Sequence, residues 1–352
     1  MAAEKKARVL FVVIGYPAVG LGHVYRAMML AEAMPDCAVG FLCTRESSAF
    51  ALALPAVKYP AHRQESCELY RDVLALRPDL VISDMLNTGE DYMRPLKQAG
   101  LFLVNFEDEG PGASFADLVV NALYERAGNA DPRRLYGHEN FCLRDEFLKA
   151  VRKPFSLEAE QALVTFGGTD ASDFTRKSVD ALYDLCARGD NPLKLRIVAG
   201  PGYAHQEALK AHLARLDPEG RVLFYTHATN VMSAEMEKAD FAVCSAGRTV
   251  YELAHMRIPA IVLSHHERED MHSFARPENG FLYLGVMNPF RADDLRSAFL
   301  RTADARERRL LRERQEQFDF TGNKARVVAR ILSLPAARSA AEQPRVGKDG
   351  NN

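Results

Sequence analysis

The chain has 352 residues, more than twice the common size of one domain, about 100 to 150 residues, so its length predicts two domains. Hydrophobic residues make up 47% and charged residues 26% of the chain, which excludes disorder for most of it and allows a large core. The 45 Lys and Arg and 47 Asp and Glu give a formal charge of −2, which argues against a protein that binds nucleic acid.

Neither the cysteines nor the apolar runs point outside the cytoplasm. Six cysteines occur without a C-x-x-C pair and mostly beside apolar residues, a pattern that predicts reduced thiols in the protein interior. The apolar run Val9 to Ile14 is far shorter than the roughly 20 residues that span a bilayer, and it lacks the flanks of a signal peptide. We therefore expect a cytoplasmic protein without a transmembrane segment.

Short runs rich in Val, Ile, Leu and Phe alternate with helical patterns along the chain, which is typical of parallel sheets with crossover helices. In the first half, strands are predicted at 8–14, 38–43, 79–83, 101–106 and 117–121. In the second half, they are predicted at 162–166, 195–199, 222–225, 241–244, 260–263 and 281–284. Each half is therefore predicted to form its own Rossmann-like α/β unit.

The composition between and after these runs predicts the domain limits. A charged stretch at 144–158 that contains Pro154 is interpreted as the connection between an N-terminal domain, 1–150, and a C-terminal domain, 155–334. Within the helical region 292–334, the charges at 306–315 are interpreted as a solvated helix face. The polar segment 335–352 is predicted to be a disordered tail.

The first predicted strand runs into a glycine loop that ends in Gly20, Gly22 and His23, followed by a helix. The loop matches neither a P-loop nor the dinucleotide fingerprint, since Tyr25 stands where the third glycine is required. Glycines at such a turn let a ligand approach the free amides of a helix start. His23 lies at that start, where the helix dipole disfavours the imidazolium, so we interpret it as a general base.

The second half contains two further strand-to-helix turns made of small residues. The first is Gly167-Gly168-Thr169, with Asp173 as the predicted helix cap. The second follows the strand at 241–244, where the backbone amides of residues 245–249 and the side chain of Arg248 are suited to a diphosphate. One helical turn later, Glu252 is placed to accept hydrogen bonds from a ribose diol.

Together, the segments Gly-Leu-Gly-His-x-x-Arg at 20–26, Phe-Gly-Gly-Thr-Asp at 166–170 and Ser-Ala-Gly-Arg-Thr-Val-Tyr-Glu at 245–252 resemble the GT-B nucleotide-sugar enzymes related to MurG. The chain is most similar to the group of PseG, a UDP-sugar hydrolase of pseudaminic acid synthesis, and of the SpsG-type glycosyltransferases of spore-coat polysaccharide. Segments 116–121 and 143–147 extend the resemblance to about residues 8–330.

The resemblance implies a GT-B architecture, in which two Rossmann-like domains face a central cleft and the second domain holds UDP. It implies His23 as catalytic base, with Gly20, Gly22 and Arg26 on the sugar side. Asp84, a carboxylate at a strand end, and Glu267 and Arg268 in the His-rich stretch are further candidate sugar contacts. It further implies a nucleotide site of Gly167, Gly168, Thr169, Ser245, Ala246, Gly247, Arg248, Thr249 and Glu252. The expected substrate is a UDP-sugar, and the reaction needs no metal or other cofactor.

Two departures from the PseG pattern concern the reaction outcome. PseG hydrolases carry a tyrosine in the loop after the third strand and Asn-Gln after a later one, whereas this chain has 84–87 (Asp-Met-Leu-Asn) and a His- and Glu-rich stretch at 264–272. We therefore expect transfer of an amino or deoxy sugar to a glycan or sugar acceptor. The alternatives are hydrolysis with water as acceptor, a UDP-sugar epimerase, and a sugar-nucleotide binding protein without catalytic activity.

Two acidic or histidine-rich segments also allow a metal site. His265, His266, Glu269 and His272 have spacings that can share a helix face, but the zinc signature His-Glu-x-x-His is absent. The triplet at 107–109 is similar to the acidic motif of GT-A transferases, which have one principal sheet. A helix start and an acidic turn at a strand end are the favoured interpretations, and no metal site is predicted.

Overall fold

The computed structural model describes residues 6–16, 19–126, 128–129, 131–188, 192–227 and 231–342, with side chains as far as residue 334. Its two parallel sheets fall in the two halves of the chain, which confirms the predicted α/β class. Within these ranges, no helix combines the length and apolar character needed to cross a bilayer.

The first sheet has seven parallel strands in the order β3-β2-β1-β4-β5-β6-β7. The strands are β1 (Arg8–Val13), β2 (Ala38–Cys43), β3 (Ala61–Arg63), β4 (Leu80–Asp84), β5 (Phe102–Phe106), β6 (Leu118–Asn121) and β7 (Arg134–Tyr136). Helices α1 (Gly22–Glu32), α2 (Ala49–Ala56), α3 (Leu69–Ala75) and α4 (Glu90–Gln98) connect the first five strands. Residues 9–13 of the central strand β1 are buried on both faces, as expected of a parallel sheet covered by helices.

The second sheet has six parallel strands in the order β10-β9-β8-β11-β12-β13. They are β8 (Gln161–Thr165), β9 (Lys194–Ala199), β10 (Leu223–His227), β11 (Phe241–Ser245), β12 (Ala260–Ser264) and β13 (Phe281–Val286). Helix α5 (Asp145–Lys149) precedes this sheet, and the helices between its strands are α6 (Phe174–Cys186), α7 (Gln206–Leu216), α8 (Met232–Met236), α9 (Thr249–Met256) and α10 (Glu267–Asp270). Helices α11 (Ala292–Ala303), α12 (Ala305–Gln315) and α13 (Asn323–Glu342) follow.

All eleven predicted strands are present, with ends within two residues of the prediction. Strands β3 and β7 were not predicted, because each is three residues long, lies at a sheet edge and contains arginine instead of an apolar run. Four of the six cysteines are buried as expected, whereas Cys67 is exposed and Cys37 is partly exposed.

The C-terminal region confirms one prediction and corrects another. The helical region 292–334 consists of three helices, and the segment 335–352, predicted to be disordered, is helical as far as Glu342. Four of its residues 335–342 are alanine, which has the highest helix propensity. Residues 343–352 lie outside the described part of the chain.

Helix α12 has the predicted solvated face, and its opposite face is buried. Arg308 is 2% exposed, and its guanidinium donates hydrogen bonds to the carbonyl oxygens of Ser156 at 2.8 Å and Leu157 at 3.0 Å. A buried arginine is tolerated there because main-chain oxygens of the predicted connection, residues 144–158, accept hydrogen bonds from its guanidinium. One face of α12 therefore holds this connection in place.

Two segments pack against the other half of the molecule. Helix α13 lies within the bounds predicted for the C-terminal domain. The core around β1 and α1 nevertheless includes its residues Val327, Val328 and Ile331. Conversely, the segment after β6 packs against the second sheet, where Tyr251 stacks between Phe141 and Phe274 at centroid distances of 4.1 and 4.4 Å. The two halves therefore share buried apolar surface in two separate clusters.

Candidate active site

The carboxyl ends of β1 and β4 bring the predicted base next to a carboxylate. His23 lies in the first turn of α1, and Asp84 is the last residue of β4, the strand that pairs with β1. The Nδ1 atom of His23 is 2.6 Å from Oδ1 of Asp84. With Nδ1–H donated to the carboxylate, Nε2 is the nitrogen that can take a proton from a substrate.

Arg26, one turn further along α1, lies between two buried carboxylates. It donates to Asp84 through Nε at 2.6 Å and through a terminal nitrogen at 2.5 Å, and its other terminal nitrogen donates to Glu107 at 2.9 Å. All three side chains are less than 5% exposed. Burial opposes a charge on Arg26, but the attraction of Asp84 and then of Glu107 outweighs it and raises the pKa of Arg26.

The same contacts fix the charge of Asp84. Burial by itself would raise its pKa, yet the nearby charge of Arg26, together with His23, holds the pKa of Asp84 well below its usual range. Asp84 is therefore an ionised acceptor for His23. The predicted sugar contacts of Arg26 and Asp84 stay predictions; in the structure both side chains are buried and bonded to each other.

The glycine loops of the two halves meet at the cleft. A Cβ atom built on Gly168 would lie 3.6 Å from the Leu21 amide nitrogen, and one on Gly20 would lie 3.8 Å from Oγ1 of Thr169. Gly20 also has a φ of +81°, a conformation that favours glycine. The predicted sugar-side residues Gly20 and Gly22 thus lie against the predicted nucleotide residues 167–169.

A third glycine loop, which the sequence analysis did not identify, supports this contact. Gly200 follows β9, and a Cβ atom there would lie 2.4 Å from the Gly167 carbonyl oxygen. The Gly202 amide donates to the Gly168 carbonyl oxygen at 2.9 Å. The signal was present in the sequence, since a strand followed by Gly-Pro-Gly is the same pattern that marked the other loops.

Helix α6 is capped by a different residue from the one predicted. The carboxylate of Asp170 accepts the amides of Phe174 at 2.8 Å and Thr175 at 2.7 Å, whereas Asp173 makes no capping hydrogen bond. Asp173 instead has a left-handed φ of 54° and bonds to Arg176 and Tyr203. The Gly167–Thr169 loop is therefore followed by a carboxylate that already occupies the helix start.

The second small-residue turn connects β11 to α9. The N-cap residue of α9, Arg248, makes no side-chain capping hydrogen bond, so the amides at the helix start, near Gly247 and Thr249, are not capped from within the turn. Ala246 differs, because its amide donates to the Leu263 carbonyl oxygen at 3.1 Å and its carbonyl accepts from His272 Nδ1 at 2.9 Å. The nucleotide contact of Ala246 stays a prediction, and its amide already has a protein partner.

Arg248 extends from this turn to the first half of the molecule. Its guanidinium packs on Phe141 at 4.7 Å and donates to the Cys142 carbonyl oxygen at 3.2 Å. Its Cδ would lie 3.6 Å from a Cβ atom built on Gly22, next to His23. Burial, followed by repulsion from Arg26, lowers the pKa of Arg248 to about 10, so it still carries a positive charge at neutral pH.

Glu252 and Arg268 have protein partners, whereas Glu267 is exposed. Oε1 of Glu252 accepts from Arg144 Nε at 3.0 Å, so a ribose would share or replace that contact. Glu267 is exposed at the start of α10, whereas Arg268 donates to the Glu107 carbonyl oxygen at 3.1 Å across the cleft. Arg268 is therefore an interdomain contact as well as a candidate sugar contact.

The histidine-rich stretch forms a helix start, as favoured in the sequence interpretation. His266 caps α10 by accepting the Glu269 amide at 3.2 Å, His265 stacks on Phe174 at 4.4 Å, and His272 bonds to Ala246. Among the described residues, no three His, Cys, Asp or Glu side chains gather as metal ligands. Glu269 lies beside Ser245 and accepts the His265 amide at 2.7 Å.

Comparison with known proteins places this geometry in context. No protein-family model matches the chain. It is 26% identical over 277 residues to an uncharacterised protein of Methanocaldococcus jannaschii, covering 74% of this chain but only 56% of that relative's length. It is 25% identical over 261 residues to the spore coat polysaccharide biosynthesis protein SpsG of Bacillus subtilis, covering 71% of this chain and 75% of SpsG.

Solved structures with this fold align over nearly the whole chain. MurG of Acinetobacter baumannii superposes with a TM-score of 0.65 at 16% identity, covering 93% of this chain and all of MurG. HepE of Anabaena in complex with UDP-glucose gives 0.57 at 14% identity, with 93% and 100% coverage. A UDP-N-acetylglucosamine 2-epimerase homologue of Listeria monocytogenes gives 0.60 at 13% identity, with 94% and 96% coverage. The chain therefore has the GT-B fold of these structures, and its similarity to SpsG confirms the predicted resemblance to SpsG-type proteins.

Proposed function

We propose that this protein cleaves the anomeric C–O bond of a UDP-activated amino or deoxy sugar and transfers the sugar to an acceptor hydroxyl. The biosynthesis of a surface polysaccharide or a nonulosonic acid-type glycan is the proposed context. The observation that carries the proposal is the buried Asp84 carboxylate 2.6 Å from Nδ1 of His23, at the point where the glycine loops of both halves meet. The presence of UDP-glucose in HepE and the name of SpsG support the substrate class.

In the proposed mechanism, His23 acts as general base towards the acceptor. Nε2 takes the hydroxyl proton while the acceptor oxygen bonds to the anomeric carbon, and the ionised Asp84 stabilises the imidazolium that forms. The bond from the anomeric carbon to the diphosphate oxygen breaks, and its electron pair leaves with UDP. The products are the glycosylated acceptor, UDP and a proton on His23.

The second half is proposed to stabilise the departing diphosphate. The amides at the start of α9 and the Gly167–Thr169 loop offer hydrogen-bond donors, and Arg248 adds a positive charge next to Gly22. Such preorganised donors stabilise charge that develops in a transition state, so the proposed reaction requires no metal or other cofactor. Glu252 is proposed to bind the ribose, and Glu267 and Arg268 the sugar.

Acceptor-free turnover distinguishes transfer from hydrolysis. We expect UDP, among UDP, GDP, CMP and NAD, to raise the melting temperature most, and UDP-sugars to be turned over slowly unless an acceptor is present. Rapid release of free sugar without an acceptor would favour the hydrolase, in which water occupies the acceptor position. A changed UDP-sugar without free UDP would indicate an epimerase, and UDP binding without any turnover would indicate a binding protein.

A further inference from the structure

Glu107 connects three parts of the molecule beneath the candidate site. It follows β5, is 3% exposed and has a left-handed φ of 53°, a conformation that is strained for a residue other than glycine. Its carboxylate accepts from Arg26 at 2.9 Å and from the Leu123 amide at 3.3 Å. Its carbonyl oxygen accepts from Arg268 of the second half at 3.1 Å.

The charges of this buried cluster explain why a second carboxylate is present. Arg26 carries one positive charge and bonds to both Asp84 and Glu107. If Asp84 were the only partner of Arg26, its negative charge would be balanced by the guanidinium, and it would stabilise a positive charge on His23 less. Burial raises the pKa of Glu107, and the charges of Arg26 and then Arg248 oppose this shift. When ionised, Glu107 supplies a second negative charge, so that the cluster of Arg26, Asp84 and Glu107 carries a net charge of about −1 next to His23 and Arg248.

We propose that Glu107 is a positioning residue for His23, which acts through Arg26 to keep the charge and orientation of Asp84 available to the imidazole. The hydrogen bond from Arg268 to the Glu107 carbonyl oxygen joins Glu107 to the second half of the molecule. Through Glu107 and Arg26, the position of His23 is therefore fixed relative to that half. The kinetic consequence rests on the proposed function, whereas the effect on the titration of His23 does not.

The groups that act on this cluster come from several elements. Around His23 they are Asp84 on β4, Arg26 on α1 and Arg248 before α9. The titratable and charged groups that interact with Glu107 are Arg26, Asp84, Arg248, Arg268, Tyr124, Cys142 and Tyr251.

The direct test is the titration of the His23 imidazole, followed by NMR in the full-length protein without substrate. A His23→Gln spectrum assigns the resonance among the ten histidines. Glu107→Gln should move the midpoint to lower pH, since a nearby negative charge is lost. Glu107→Asp keeps the charge but withdraws it from Arg26, so a smaller shift in the same direction is expected, and this variant keeps the test decisive if Glu107→Gln does not fold.

Glu109→Gln is the matched control, because it removes the same charge only two residues away from Glu107. The carboxylate of Glu109 bonds to Arg126, Asn121 and Tyr136 and not to Arg26. The Glu109→Gln variant should leave the midpoint nearly unchanged. If the folded Glu107 variants titrate like the wild type, or if Glu109→Gln shifts His23 as much as they do, the proposal is wrong.

The pH profile of kcat supplies a second readout. A purely structural role of Glu107 predicts no shift of its acidic limb. Glu107→Gln should lower kcat on the order of 10-fold and move the acidic limb of the kcat profile to lower pH, while UDP affinity stays within about twofold. A wild-type protein that neither binds UDP nor turns over UDP-sugars would contradict the proposed function, and the NMR titration would still decide the role of Glu107.

Discussion

Asp84 accepts hydrogen bonds from both His23 and Arg26, so one carboxylate orients the base and compensates the buried arginine. Asp84→Asn keeps the size of the side chain but loses the charge that stabilises a protonated His23. We expect kcat to fall by roughly 10² or more, within the range of general-base effects, with UDP affinity retained. Steady-state kinetics and nucleotide titration measure the two quantities.

Asp79→Asn is the control for this substitution. Asp79 precedes β4 at its opposite end and pairs with Arg8 at 3.0 Å, away from the cleft. The kcat of the Asp79→Asn variant should match that of the wild type. An Asp84→Asn protein that melts like the wild type and retains full kcat would mean that Asp84 does not assist His23.

Glu269 predicts a pH dependence of stability. Burial raises the pKa of Glu269 to about 7 from its ordinary value of 4.5, so the folded protein binds this proton more tightly than the unfolded chain. The contribution of Glu269 to stability therefore falls as pH rises from 4.5 to about 7. Burial lowers the pKa of His265 and His272 to about 4, so their contribution to stability rises with pH. The contribution of Glu269 must therefore be measured as the difference in unfolding free energy between the wild type and a Glu269 variant.

Glu269→Gln removes only the Glu269 contribution. Relative to the wild type, its free energy of unfolding should increase with pH over this window, by on the order of 3 kcal/mol. Urea unfolding of both proteins at several pH values measures this difference, with Glu267→Gln as the exposed control on the same helix. A difference that stays constant with pH would contradict the assigned burial effect.

At the scale of secondary-structure elements, the glycine loops at the carboxyl ends of β8 and β9 support each other. Gly200→Ala would place a Cβ atom 2.4 Å from the Gly167 carbonyl oxygen, so the Gly167–Thr169 loop has to move. We expect UDP affinity to fall by about 10-fold or more, because preorganised amides lose their alignment. Isothermal titration measures the affinity.

Gly40→Ala is the control for this loop. Its added Cβ would meet only ordinary contacts, 3.7 Å from the Pro60 carbonyl oxygen within the first sheet. It should bind UDP like the wild type. Equal UDP affinity of Gly200→Ala and Gly40→Ala would show that the 167–169 loop does not contribute to the nucleotide site.

The pattern at strand ends accounts for what the sequence revealed at this scale. Eleven apolar runs and the loops with glycine and histidine were recognisable because each is a local signal at a strand-to-helix turn. The link from Arg26 to Glu107 was not, since it joins residues 81 positions apart that belong to two separate motifs, and neither motif indicates the other as its partner. The edge strands β3 and β7 are stabilised by pairing with neighbours instead of by their own composition.

At the scale of the whole molecule, α13 returns from the end of the second half to the core of the first. Local periodicity predicts a helix there but not the sheet against which it packs. Asn323 begins the return by donating to the Phe141 carbonyl oxygen at 3.2 Å, and Ile331 is fully buried. The helix therefore contributes to the stability of the half that holds His23.

Ile331→Ala tests this contribution. Removal of a fully buried isoleucine side chain typically costs about 2 to 5 kcal/mol, and we expect a loss in this range in urea unfolding. Arg330→Ala, at an exposed position next to it, should change the free energy of unfolding by less than about 0.5 kcal/mol. A similar small effect of both substitutions would mean that α13 is not an integral part of the first core.

The measurement that tests the central claim most directly is the rate of UDP release from a UDP-sugar by the wild type and by His23→Gln, with UDP affinity determined in parallel. We predict that His23→Gln lowers kcat by about 10² to 10⁴, as expected for the loss of a general base, while UDP binds within about twofold of the wild type. A variant that binds UDP and retains the wild-type rate would contradict the assignment of His23 as the base held by Asp84.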